Sequence, residues 1–506
     1  TTEIYTLSLH DALPISLRHR QVFLTVLASV AAFRLLWVHL GAGELPFWDQ
    51  WDAEGWLLYR AWQEGELGLA ALLSPHNEHR ILWPRLTALL LFILNNQHWD
   101  NLVTASFSAL FVAVLAACLA QWAHPRLTPS LRGPLILVLL FLACLPIAWE
   151  NLISGFQIAF FQMLLFSLLG LGLAVHAAAG WRLALGLLAC LAAGLFTVAS
   201  GLLAPAVAAL VVAWRVWRSE LPRTWLMVVL FLLALTSLGY ALIPPMPLHD
   251  ALKAQSLADL MRALLLMLSW PFPIRFPVGL VLWLAPLLWL PGLLRRQVPP
   301  PPRLVVFAVA ISAWVALQAV AMAYSRGHEA TAIASRYLDL LGLGCLVNLM
   351  LWLAWSQSRV HAGVATGARL LAIALFGAVA VALGSVAIDG VSRLGGHREI
   401  VSIQTRNVHA YLGTGDFSHL ADKPLLHIPY PDPNRLRMFL DDPSIRNMLP
   451  GTPGQAAGAQ AHRRAPLGTL SRLVLKASPL AVGMLIALAL AVWLGRILAT
   501  DRPKPP

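Results

Sequence analysis

Apolar residues in this chain come in long unbroken blocks, with little alternation and no narrow one-sided stripe. Blocks long enough to cross a bilayer, or nearly so, lie at about 21–42, 101–122, 134–149, 157–179, 183–199, 201–214, 224–243, 276–294, 303–323, 337–355, 368–388 and 474–495. A helical span needs roughly 20 apolar residues. Several blocks fall short of that, so length predicts about 12 spans, with one or two undecided. The predicted fold class is all-α, a polytopic transmembrane helix bundle. A further block, 81–95 (ILWPRLTALLLFILN), is read as a short helix on the outer interface. Counting it as a span would turn every following loop to the other side.

Charge fixes the orientation. With Arg18 and Arg20 cytoplasmic and 43–100 outside, the inside connections are Pro125–Gly133, Arg182, Arg215–Arg223, Arg295–Arg303, Arg359–Arg369 and the tail Arg496–Lys504. Nearly all carry arginine, as the positive-inside rule demands. The outside then receives the 43–100 loop, the Glu150–Gln157 turn, the 324–336 turn and a polar stretch near 389–471. The chemistry-bearing side chains fall on that side.

The expected organisation is a bundle over 17–388, an extracytoplasmic segment over 389–473, and a last span with a cytoplasmic tail over 474–506. Within the segment, Pro429, Pro431 and Pro433 impose an extended entry to a short helix around Asn434–Leu440. The segment is expected to dock on the outer face of the bundle. The first sixteen residues, TTEIYTLSLHDALPIS, resemble a translated sequencing adaptor, and no methionine precedes Met163. They are therefore set aside as foreign, with the true N-terminus expected to be missing.

Composition agrees with a membrane chain. Of 506 residues, 58% are hydrophobic and 12% charged, and mean hydropathy is +0.70. The net charge of +12 does not indicate nucleic acid, because the cations sit in short tethers and form no contiguous face. Cys118, Cys144, Cys190 and Cys345 lie inside apolar blocks without metal-ligand spacing, and read as small core residues.

Four polar constellations interrupt this pattern. PFWDQWDAEGW, residues 46–56, sets Asp49, Asp52 and Glu54 among interfacial tryptophans just after the first span. Three carboxylates so close would repel, raising one pKa into the range of a general base or holding a cation. The alternative is an interfacial loop with solvated acids. SPHNEHRILWPR, residues 74–85, carries His76, Glu78, His79 and Arg80. On a helix His76, His79 and Arg80 would share a face, suited to a divalent metal or to a rim for phosphate or sugar, or simply to an interface cap. No other cofactor is indicated.

WENLISGFQ, residues 149–157, places Glu150 and Gln157 between two spans. An acid there faces a water-filled cavity or a partner, unless it is a plain turn acid. YSRGHEATAIASRYLD, residues 324–339, holds Arg326, His328, Glu329, Arg336 and Tyr337. Arginines on the outer side suit a phosphate, whose oxygens guanidinium matches in pairs, or an internal pair such as Arg326 with Glu329. TVASG, residues 197–201, either lines a cavity or serves as packing glue. Gly-rich phosphate loops, nucleophile elbows, HExxH and dinucleotide fingerprints are absent from the sequence.

An acidic motif directly after the first span, two interface helices at about 53–66 and 81–95, and a second acidic site between the next spans together resemble the GT-C superfamily of membrane glycosyltransferases. The resemblance implies a donor sugar on polyprenyl phosphate, an extracytoplasmic acceptor, and a location in the bacterial inner membrane among its lipids. It implies a first-loop acid as catalytic base: Asp49, with Asp52 or Glu54 as second acid, and Glu150 at the later acidic site. The family often places its two acids side by side, whereas two residues separate Asp49 from Asp52. Either is left as the base. Two other classes fit the same residues, a transporter or flippase for a lipid-linked or anionic solute, and a non-catalytic envelope subunit.

Overall fold

The computed structural model describes residues 9–273, 278–296, 300–358, 365–451 and 465–500. Among them the chain is helical throughout, without a strand. The bundle contains α1 (Leu9–Gly41), then, after the first loop, α4 (Asn101–Ala123), α5 (Pro129–Cys144), α6 (Ile158–His176), α7 (Trp181–Gly194), α8 (Leu203–Trp217) and α9 (Leu226–Ala241). It continues with α10 (Leu257–Ser269), α11 (Val278–Leu282), α12 (Leu284–Leu294), α13 (Arg303–Ser325), α14 (Leu338–Ser356), α15 (Ala365–Thr414) and α17 (Pro466–Thr500). The first loop adds α2 (Trp51–Arg60), wound as a π-helix, and α3 (Leu82–Leu94). The late segment adds α16 (Pro433–Asp441).

Nine of these described helices are long and apolar enough to cross a membrane, and shorter apolar helices accompany them. The protein thus has the makings of a multi-pass membrane bundle. Its main core is a continuous apolar cluster running from Val26 and Val30 of α1 to Val379 and Leu383 of α15. Of the adaptor-like segment, residues 1–8 lie outside the described residues, whereas 9–16 form the first turns of α1.

The two ends of the bundle differ. At one, arginines knit helix ends together: Arg218 donates to the Arg295 carbonyl at 3.0 Å, and Arg215 and Arg303 both reach Glu220. At the other, the first loop and the late segment share a second core of Trp51, Leu58, Tyr59, Phe92, Trp99, Leu436, Phe439 and Met448.

No break occurs at residue 388. α15 runs through it to Thr414, with the Asp389–Arg393 pair one turn apart supporting the crossing point. At 1.5 Å per residue, its 50 residues reach about 75 Å, well beyond a hydrocarbon core of about 30 Å. The polar half of this helix therefore projects from the bundle and presents Val408 and Tyr411 to the second core.

What fastens the late segment is mostly the first loop. Trp48 N–H donates to the Pro429 carbonyl at 2.9 Å, and Trp99 N–H to that of Met448 at 2.9 Å. Asp52 accepts from Tyr430 at 2.6 Å and from both Nε and Nη2 of Arg435. Trp51 stacks on Phe439. The short helix expected at Asn434–Leu440 is present as α16, capped by the Asp432 carboxylate. Alanine at Asp52 should loosen this cap, read as faster hydrogen exchange over residues 417–449 with the bundle unchanged. Unaltered exchange there would mean the apolar core alone holds the cap.

Candidate functional site

Trp48 carries φ 49°, the left-handed region that a bulky residue enters at a cost of about 1–3 kcal/mol. The bond to Pro429 holds it there. This kink, followed by the wide turn of α2, sends the three acids of the first loop in three directions.

Asp49 faces His76, with Oδ1 to Nε2 at 3.5 Å. Its side chain is 50% exposed whereas His76 is buried. Burial by itself would raise the Asp49 pKa. The His76 hydrogen bond and the nearby His76, Arg336 and His79 outweigh it, holding the carboxyl below its ordinary range.

Asp52 turns to the cap, as above. Glu54 turns inward and is 4% exposed. It accepts from Gln50 Nε2 at 3.1 Å and from Trp99 Nε1 at 3.3 Å. Burial pushes its pKa up to about 7, those two bonds offsetting only part of the shift. The expected carboxylate cluster does not form, because each acid has found a partner on a different element. The acid that does shift upward is the buried Glu54, not the half-exposed Asp49.

Glu54 should therefore weigh on stability as pH rises. A folded pKa of about 7 against 4.5 unfolded gives a contribution complete below about 4.5 and lost as pH climbs through 7. Ionising the buried group then costs about 3 kcal/mol by linkage. Glu54→Gln should melt several degrees higher than wild type at pH 8.5 and alike at pH 4.5. Parallel melting curves across that range would refute it.

Residues 76–79 are not helical. They make a tight turn closed by His76 N–H to the His79 carbonyl (2.8 Å) and the reverse (2.9 Å), with Asn77 at φ 50°. Asparagine tolerates that region. The turn radiates its side chains to three elements instead of sharing a face. His79 Nδ1 accepts from the Ala199 N–H at 3.1 Å, so its proton sits on Nε2. Burial lowers its pKa to about 4, keeping it neutral. The TVASG stretch thus contributes a backbone donor to the site.

Glu78 accepts from Arg326 at 2.6 Å and pairs with His249 at 2.7 Å. Although burial opposes it, those cations and His79 take its pKa down to about 2. Arg326 is thus paired with Glu78, and the alternative partner Glu329 occupies a left-handed turn at φ 48°. His328 approaches Asp259 at 3.8 Å. Arg80 donates to the carbonyls of Leu242 and Leu73. Neither Arg80 nor Arg326 presents a guanidinium free of protein acceptors to a phosphate. Among the described residues there is also no group of three His, Cys, Asp or Glu able to hold a metal ion.

Arg336 lies differently. Its Nη1 meets Glu150 Oε1 at 3.2 Å, and its side chain is 36% exposed. Glu150 Oε2 accepts from Ser335 Oγ (2.9 Å) and the Arg336 N–H (3.0 Å), which fixes the 335–336 turn. Tyr337 lies under the Arg336 guanidinium at 5.2 Å, and Gln157 caps α6 beside Phe156, which packs on His76. Asp49 thus lies within electrostatic reach of His76 and Arg336, and Arg336 meets Glu150 and Tyr337, which gathers the five side chains into one polar cluster at the cap end.

Several supports carried weak sequence signals. Asn101 donates to the carbonyls of Gly43 and Ile153 and accepts from the Gly155 N–H. A Cβ on Gly155 would lie 2.0 Å from Thr104 Oγ1, so only glycine fits that crossing. Asn151 donates to Asp339 and to the Arg336 carbonyl, and Asp339 in turn receives Arg34 at 3.0 Å. A charge amid the first apolar block was the one available hint of that pair. Comparison with family models, curated proteins and solved structures returns no match to this chain.

Proposed function

We propose that this protein is a membrane glycosyltransferase that moves a sugar from a polyprenyl-phosphate donor to an extracytoplasmic acceptor. The observation that carries this reading is a half-exposed Asp49, held ionised, within electrostatic reach of the Arg336 guanidinium at the cap end. The arginine-knitted end is taken as cytoplasmic, which puts the polar cluster around Asp49 on the outer side. Adding α5, α7 and the broken α10–α12 path to the nine long helices makes twelve crossings in this reading.

The acceptor hydroxyl attacks the anomeric carbon, the anomeric C–O bond to phosphate breaks, and the configuration inverts. The hydroxyl proton passes to Asp49, and the polyprenyl phosphate departs as an anion. A carboxylate held below its ordinary range is a weak base, which serves when the proton leaves late, after the new bond has largely formed. The leaving group needs charge stabilisation more than a proton, and Arg336 is suited to supply it. Asp52 and Glu54 support the fold around Asp49.

The test uses the full chain in lipid nanodiscs with a panel of polyprenyl-phosphate sugars. Release of free polyprenyl phosphate, dependent on an added acceptor, is expected for one of them. Movement of labelled lipid between leaflets with no sugar released would overturn the proposal in favour of transport.

A further inference from the structure

Two apolar depressions in the bundle share Leu119, Leu139, Leu343 and Leu346, and so form one continuous trough. It lies between α4, α5, α6, α13 and α14. Along α4 it extends from Val112 to His124, about 18 Å at the helical rise. The far end is closed by the Arg34–Asp339 pair, and the near end is framed by Trp122, His124 and Leu304 at the arginine-rich end. The four shared leucines are half-buried, so the trough is lined yet not filled.

Water gains nothing in an apolar slot of this kind, and at bilayer depth the surrounding medium is hydrocarbon. The rim says more. Arg126 holds its guanidinium 4.6 Å over the Trp122 ring and is exposed. Arg132 donates to the Leu127 carbonyl and is half-exposed. Among the described ion pairs neither has a carboxylate partner, Glu220 being engaged by Arg215, Arg218 and Arg303. A long apolar slot opening beside two cations matches the geometry of a charged headgroup with its chain.

We propose that the trough seats one acyl chain of an anionic phospholipid from the leaflet on the arginine-rich side, with Arg126 and Arg132 meeting its phosphate. The charged pair at the far end limits how deep the chain reaches. The site is distinct from the polar cluster around Asp49 and does not depend on what that cluster does.

The experiment is photo-crosslinking of the full chain in phosphatidylcholine nanodiscs doped with phosphatidylglycerol bearing a diazirine near its chain end. Adducts are expected in peptides covering 112–119 and 339–346. Leu346→Trp, which fills the slot, should remove most of them, and the milder Leu139→Phe should reduce them if the first variant fails to fold. Replacing Arg126 and Arg132 together by Gln should weaken labelling about thirtyfold, at roughly 1 kcal/mol per arginine near a headgroup. Unlabelled phosphatidylglycerol should compete better than unlabelled phosphatidylcholine in wild type. Equal competition by the two lipids, or labelling indifferent to filling the trough, would overturn the proposal.

Discussion

Asparagine at position 49 should reduce sugar transfer about a thousandfold, within the range that loss of a positioned base costs, with protein level and melting temperature unchanged. The swap preserves size and polarity and removes only the proton acceptor. The half-exposed side chain leaves little folding energy at stake. Glu54→Gln should keep turnover near wild type, since Glu54 lies sealed between Gln50 and Trp99. The contrast between two carboxylates five residues apart separates chemistry from scaffolding.

The pH profile adds a second measurement. Burial alone would raise the Asp49 pKa, and His76 and Arg336 pull it below the ordinary value. Activity should therefore persist to lower pH than a free carboxylate would allow. Removing the imidazole in His76→Phe should move the acid limb upward toward the usual carboxylate range. A limb that stays in place, or turnover undiminished in Asp49→Asn, would sink the assignment of Asp49 as base.

Much of the frame could be read from the chain, and much of the site could not, for identifiable reasons. Apolar blocks report helices because lipid leaves the backbone no other partner, so the ends of α4, α13 and α14 fall close to the predicted blocks. The fate of each first-loop acid depended on residues far away. Asp52 is claimed by Tyr430 and Arg435, and no local spacing announces that. The face that His76, His79 and Arg80 would share on a helix does not arise, because Asn77 bends the segment into a left-handed turn. α15 ran past its apolar block because polar residues continue a helix as readily as they end one when a cap packs on it. Arg34 and Asp339 could be seen singly in the sequence. Their pairing at 3.0 Å needed the fold.

The last expected result concerns the arginines, three of which had equal standing in the sequence. Arg336→Gln should lower turnover about a hundredfold or more, the scale of losing one group that stabilises developing charge. Arg80→Gln and Arg326→Gln should act on stability instead. Arg80 spends its donors on two backbone carbonyls. Arg326 neutralises Glu78, whose carboxyl is held down to about 2 and would be left with His249 alone. Arg336 pairs with Glu150 and lies over Tyr337, yet its side chain stays 36% exposed. Glu150, bound by Ser335 and the Arg336 N–H, orients it without the burial that would shut an incoming phosphate out. Glu150→Gln keeps that orientation and weakens the competing charge, so it should raise affinity for a phosphate-bearing donor and lower turnover less than Arg336→Gln does. Binding of a lipid phosphate unaffected by Arg336→Gln, with Arg326→Gln abolishing it, would shift the anion site to the Glu78–Arg326 pair.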